Sequence, residues 1–279
     1  MILRLLHIEF IKLWNNRASK VLISAYFVLL SCIALIASIK FDIGPVKFHL
    51  AEQGIFNFPY IWHFNTYVAS TLKFFLAIVI VSMVANEYSN KTIKQNLIDG
   101  LSKKEFVASK FLTVAAFALI STLFVFVISL LLGYSFSTIT ETYHVFSDLE
   151  YLLAFFIKLL GFFSFCLFLG ILVKRSAFAL GFLFVWFLGE KLAYGFLRFE
   201  IDATKDIWSK ITQFFPLESM SNLIDEPASR LGAVKQVAKQ VGENFNFDYQ
   251  VHWYEITIVL IWVSLFALGS YFLIKRRDL

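Results

Sequence analysis

Residues 87–110 read Glu-Tyr-Ser-Asn-Lys-Thr-Ile-Lys-Gln-Asn-Leu-Ile-Asp-Gly-Leu-Ser-Lys-Lys-Glu-Phe-Val-Ala-Ser-Lys, a lysine-rich polar island with a long apolar run on either side. Its inner part has the spacing of a short amphipathic helix, with Ile93, Leu97 and Ile98 on one face and Lys91, Lys94 and Gln95 elsewhere. Gly100 follows as a helix stop. Ser102, three residues before Glu105, has the spacing of a capping box for a new helix. The island therefore predicts a helix, a tight turn and the start of a helix that re-enters an apolar run. It is too short to be a domain and forms a handle on the outside of a membrane.

Composition supports this setting. Of 279 residues, 59% are hydrophobic and 16% charged, with a mean hydropathy of +0.72, whereas a soluble domain carries about 25% charged residues. The net charge of +5 consequently says little about nucleic acid, which is not an expected partner; the placement of charge relative to the bilayer matters more. Cys32 and Cys166 lie inside apolar runs and suit packing rather than a disulfide or metal site.

Runs of about 20 apolar residues cross a ~30 Å hydrocarbon core as helices. Six such runs occur, at 21–39, 66–85, 111–134, 151–173, 177–197 and 256–274. Residues 1–20 precede them as an amphipathic helix for the membrane surface, with Ile2, Leu5, Leu6, Phe10, Leu13 and Trp14 opposite Arg4, Lys12 and Asn15. The run after it is longer than the roughly 7–15 residues of a signal-peptide core, so a cleaved leader is not expected. The expected fold is an all-α integral membrane protein forming one transmembrane domain over 1–279.

Lysine and arginine placement sets the orientation. With the N-terminus inside, the inner segments carry 14 cations, among them Lys91, Lys94, Lys103, Lys104 and Lys110, against five acids. The outer loops reverse this balance, with 8 cations among a larger number of acids. Both termini and the 87–110 island are thus expected in the cytoplasm of a multi-pass cell (inner) membrane protein. Pro45, Pro59, Tyr60 and Trp62 suggest an aromatic belt before the second run. The outer segment 198–255 holds two stretches of helical spacing, Ile207 to Phe215 ended by Pro216, and Leu231 to Val241. Both are too short to span, and they are expected as short helices dipping into or lying on the outer face, or else as a small packed cap.

Lys73, Lys158, Glu190 and Lys191 fall inside apolar runs, where a charge is costly unless paired or solvated. Lys158 lies about 10 Å down from the outside and Glu190 about 20 Å up from the inside at ~1.5 Å per residue, so the two share a level. A Lys158–Glu190 pair between adjacent helices is expected, with Lys73 or Lys191 nearby. It would serve either as an ion pair fixing helix register or as a polar patch on a substrate path.

No Gly-x-x-x-x-Gly-Lys-Ser/Thr and no Gly-x-Gly-x-x-Gly occurs, so the sequence offers no nucleotide cradle. The five histidines are scattered without ligand spacing, and neither His-Glu-x-x-His nor Gly-x-Ser-x-Gly is present. No catalytic, cofactor or metal site is expected on this chain, and any energetic work would be fuelled elsewhere.

This plan resembles the permease subunit of an ABC-2 type ABC transporter over nearly its full length. Members of that family commonly show a Glu ending the second span, then Gly-Thr-Ile or similar, a turn, a Ser-Arg pair and a Lys entering the third span. The matching residues here are Glu87, Thr92-Ile93, Gly100, Ser102-Lys103 and Lys110, with Lys91 at the usual glycine and Lys103 at the usual arginine. The tail Lys275-Arg276-Arg277-Asp278-Leu279 is similar to the common family ending. The resemblance implies two permease chains, identical or different, in the bilayer above two separate ABC ATPase subunits that bind ATP and magnesium. The island then acts as the coupling helix, through Glu87, Thr92, Ile93, Leu97, Ile98, Gly100, Ser102, Lys103 and Lys110. The apolar face would need a partner groove, and the lysines would steer it onto acidic surface. Taken alone, Glu87 could instead be an acid favoured at a helix N-terminus. Export of a lipid-like, peptide or drug-like substrate is the expectation. The competing reading is a six-span sensor, channel or scaffold that transports nothing.

Overall fold

The computed structural model describes residues 2–38, 40–43, 46–49, 54–98, 100–200, 207–230 and 249–277. Among them the regular secondary structure is helical apart from one hairpin, and includes a short 3-10 turn at Ala228–Arg230. The hairpin, β1 (Lys40–Ile43) antiparallel to β2 (Val46–His49), sets Phe41 opposite Phe48 and Ile43 opposite Val46. It is a local exception within an all-helical fold: alternating apolar residues over four positions make a strand, a signal that a search for 20-residue runs passes over.

The chain starts with α1 (Ile2–Asn15), which leads through Asn16 into the 22-residue α2 (Arg17–Ser38). Next come α3 (Tyr60–Thr71) and α4 (Lys73–Ser89), and then the short α5 (Thr92–Ile98). The 34-residue α6 (Lys103–Phe136) follows, then the single turn α7 (Thr142–Val145) and α8 (Glu150–Val173). The remainder is α9 (Ser176–Glu200), α10 (Ile207–Thr212), α11 (Pro216–Asn222) and α12 (Trp253–Arg276). Among the described residues four stretches, built on α6, α8, α9 and α12, are long and apolar enough to cross a membrane, and α3 with α4 adds a fifth if the bent pair is one span. At ~1.5 Å per residue α6 is roughly 50 Å long, well beyond a ~30 Å core, so it extends past the bilayer.

The run expected as one helix over 66–85 is bent by 45° at Leu72. Its cause is local. Thr66, Ser70 and Thr71 turn their hydroxyls onto the carbonyls of Trp62, Tyr67 and Val68 at 2.7 Å each, and Leu72 N–H bonds Ala69 O rather than the residue four back. Hydroxyls that bond the preceding turn bend helices. Lys73 consequently opens a new helix instead of lying seven residues into a straight one.

The hub is α8, wrapped by α3, α4, α6, α9 and α12. Leu159, Phe163, Cys166 and Leu167 are fully buried. Gly161 lets α12 and α11 approach: a Cβ there would lie 2.8 Å from Val259 Cγ1 and 3.2 Å from Met220 Cε. Close backbone approach at small residues is a main source of packing energy between membrane helices.

On the outer side, Trp62 is fully buried and donates to Val145 O at 2.9 Å. It is a core anchor rather than the interfacial belt residue that its position suggested. Arg230 ties the outer segment to the bundle, bonding His63 Nδ1 at 3.1 Å and the Tyr151 hydroxyl at 3.2 Å, with its guanidinium over Tyr60 and Tyr249. Pro216 begins α11 as well as ending the stretch before it, a role suited to a residue without an N–H at the first helical position. The second outer stretch, 231–241, lies outside the described residues.

Candidate functional site

The handle is built by its two ends. At the first, α4 terminates at Asn90 and Lys91 takes the left-handed conformation, φ +56°, the geometry that commonly ends a helix and favours glycine. At the second, Gly100 has φ +96°, and Leu101 N–H reaches back to Asn96 O at 3.0 Å. The Ser102–Glu105 capping box is formed in both directions: Glu105 N–H donates to Ser102 Oγ and Ser102 N–H to Glu105 Oε2. α5 is therefore fixed between two defined turns.

The faces of α5 differ from expectation. Ile93 is 2% exposed and Leu97 packs against the core, while Ile98 is 83% exposed. The apolar face expected to await a partner is thus turned mostly inward, because the turn at Lys91 folds α5 back against the bundle. What projects outward is Ile98, with Lys94 and Gln95.

Beneath the handle lies an ion cluster. Lys110 Nζ, fully buried on α6, donates to Glu87 Oε1 of α4 at 2.5 Å and to Glu9 Oε2 of α1 at 2.6 Å. Lys12 Nζ adds contacts to Glu87 at 2.9 Å and Glu9 at 3.3 Å. Burial pulls the Lys12 pKa down, but Glu87 and then Glu9 push harder, and the net is a raised value. Glu87 sits in the last turn of α4, where the helix dipole disfavours an acid. Two lysines hold it there, so the helix N-terminus reading of Glu87 is corrected. The sequence places Lys12 on the polar face of the first helix and Glu9 among the inner acids, but nothing in it joins either residue to Glu87 and Lys110. The available signal was Glu9 interrupting the Leu5–Leu13 stripe at four-residue spacing.

The basic tail closes the same end. Arg277 donates to Ile171 O at 2.5 Å, Leu172 O at 3.0 Å and the Tyr88 hydroxyl at 3.0 Å, covering carbonyls at the end of α8. Lys103 Nζ donates to the carbonyls of Arg277 and Lys275 at 2.9 and 3.2 Å.

Higher in the bundle, a cleft of about 720 Å³ lies between α4, α8 and α9, with α11 at its edge. It gathers all four intramembrane charges of the sequence reading, Lys73, Lys158, Glu190 and Lys191, but the expected Lys158–Glu190 pair does not form. The short α11 separates them. Glu190 accepts from Leu217 N–H and Glu218 N–H at 3.0 Å and from Trp186 Nε1 at 2.6 Å, so it caps the N-terminus of α11. Lys158 Nζ donates to Ser221 O at 3.2 Å and Ile224 O at 3.4 Å, at the other end of α11. Each charge meets the helix-dipole end that favours it. Lys191 pairs with Glu218 at 2.7 Å, and Lys73 Nζ stands 4.5 Å from the centre of the Phe162 ring.

Against this geometry, the family model described as ABC-2 family transporter protein matches residues 10–274. The chain belongs to the ABC-2 transporter family. Among curated proteins none matches it. For an ABC-2 chain, a membrane transport component rather than a catalyst, the departures at Lys91 and Lys103 acquire a structural account. Lys91 carries the left-handed backbone that the family's usual glycine adopts freely. Lys103 meets two carbonyl oxygens, which a point-charge ammonium serves without the fork of an arginine.

Proposed function

We propose that this chain is the membrane-spanning permease subunit of an ATP-driven exporter, moved by a separate ABC ATPase through α5. The observation that carries the reading is the mounting of α5: two left-handed turns and a capping box at its ends, with the buried Glu9–Glu87–Lys110–Lys12 cluster joining α1, α4 and α6 beneath it. A push on such a handle moves three helices together instead of bending a loop. Ile98 supplies the apolar contact for an ATPase groove, and Lys94 the charge that steers it.

In this reading α2 is a further span beside the five stretches already counted. The handle and both termini then face the cytoplasm, as the lysine and arginine bias requires. ATP and magnesium belong to the ATPase, and a second permease chain completes the pathway.

The test uses the tagged chain, purified in mild detergent, as wild type and as an Ile98→Asp/Lys94→Glu variant that leaves buried residues alone. Wild type should bring down ATPase activity and the variant should lose most of it while eluting as a folded protein. A well-folded wild type that captures no ATPase would overturn the permease reading.

A further inference from the structure

We propose that the cleft between α4, α8 and α9 binds an anionic amphiphile from the bilayer, its phosphate headgroup at Lys73 and its chain against Phe74, Phe162 and Phe184. Within the permease reading, on which this rests, it names the class of cargo.

The charges in the cleft are unequally served. Glu190 is taken up by two backbone amides and Trp186, Glu218 by Lys191, and Lys158 by two carbonyls. Lys73 alone among these charges, counting the described residues, has neither ion pair nor hydrogen bond, only the face of Phe162. A ring face compensates an ammonium only partially, while a desolvated cation in hydrocarbon calls for an anion. A lipid phosphate supplies one.

The walls fit the rest of such a molecule. Leu180, Leu183, Phe184 and Phe187 of α9 face Phe74, Ala77 and Ile78 of α4 across the cleft. Phe74 and Phe184 are 50% and 61% exposed, which gives the cleft an apolar lip open to lipid rather than to water. A soluble anion would have to cross that lip. A second copy of this chain, related by twofold symmetry, would bring the same cleft and the same lysine, placing like charge against like. The amphiphile is the occupant that satisfies both the cation and the greasy walls.

The test is native mass spectrometry of the full chain in an uncharged detergent, titrated with dioleoyl phosphatidylglycerol or dioleoyl phosphatidylcholine. Both lipids carry a phosphate, but the choline ammonium cancels its charge, so wild type should retain phosphatidylglycerol about tenfold more tightly, the equivalent of one well-placed charge contact at ~1.4 kcal/mol. Lys73→Gln should erase the preference, Lys73→Arg keep it, and the distant exposed Lys104→Gln leave it unchanged. Leu180→Trp, which fills the cleft from the α9 side, should reduce retention of both lipids.

Equal retention of the two lipids by wild type, or an undiminished preference in Lys73→Gln, would overturn the proposal. So would competition by free glycerol phosphate, which would assign the lysine to a soluble anion. Efficient disulfide cross-linking of Phe184→Cys between two chains, with lipid excluded, would give the face to a second copy instead. Because the lipid titration needs no ATPase and the capture experiment needs no added lipid, the outcomes separate: equal lipid retention with ATPase still captured in the pull-down removes the cargo class alone, while lipid preference without ATPase capture removes the permease reading.

Discussion

Taking the ammonium from Lys110 leaves Glu9 and Glu87 only the half-buried Lys12, at 3.3 and 2.9 Å, whereas taking it from Lys12 leaves the fully buried Lys110 between them at 2.6 and 2.5 Å. The two lysines should therefore differ sharply. Breaking a buried pair costs about 3–5 kcal/mol. Lys12, with a side chain 35% exposed, falls nearer the 0–1 kcal/mol of surface pairs. Thermal unfolding in detergent should show Lys110→Met strongly destabilised and Lys12→Met within about 1 kcal/mol of wild type; equal losses would mean the cluster shares charge differently from its geometry. At this scale the sequence was legible where chemistry is local. Gly100 and the Ser102–Glu105 box are read from three or four neighbouring residues and form as read. The partners of Lys110 lie 101 and 23 residues away, and no local pattern joins them. Lys91 shows an intermediate case: its left-handed backbone is invisible in the lysine itself, and only the family's glycine at that position hints at it.

The element that most altered the reading is α11. Depth counting set Lys158 and Glu190 at one level and inferred that they touch, but a helix of seven residues fills the space between them. Its sequence, Pro-Leu-Glu-Ser-Met-Ser-Asn, lacks the apolar periodicity that would have marked it as a buried element, since its ends are satisfied by charges on other helices. Glu190→Ala would leave the Leu217 and Glu218 amides and Trp186 Nε1 without an acceptor, at about 1–3 kcal/mol for each group left buried. Glu190→Gln keeps a carbonyl oxygen for the amides and should lose less than half as much. Melting temperatures of the two variants check this, and similar values would argue that α11 is held by packing alone. The bend between α3 and α4 escaped notice for a related reason: Thr66, Ser70 and Thr71 are compatible with a straight helix and bend it only when their hydroxyls turn back on the carbonyls.

For the molecule as a whole, the runs at 111–134, 151–173, 177–197 and 256–274 fall on helices long and apolar enough to cross a membrane, while 66–85 falls on a bent pair and 21–39 on α2, which is not among those stretches. Orientation across the bilayer rests on charge bias, and it is testable without reference to transport. In a background lacking Cys32 and Cys166, a membrane-impermeant maleimide should label Tyr143→Cys, 81% exposed after α6, on intact cells. It should reach Ile98→Cys only once the membrane is opened, and the reverse pattern would invert the topology. The bracketed helix also has a mechanical meaning for the bundle. Seven residues at ~1.5 Å each make α11 a keystone about 10 Å long, tied at one foot to α9 through Glu190 and at the other to α8 through Lys158. Withdrawing it would strand a carboxylate and an ammonium at once. The walls of the cleft therefore share one stone, and parting α8 from α9 at this level means breaking the bonds at one of its two feet.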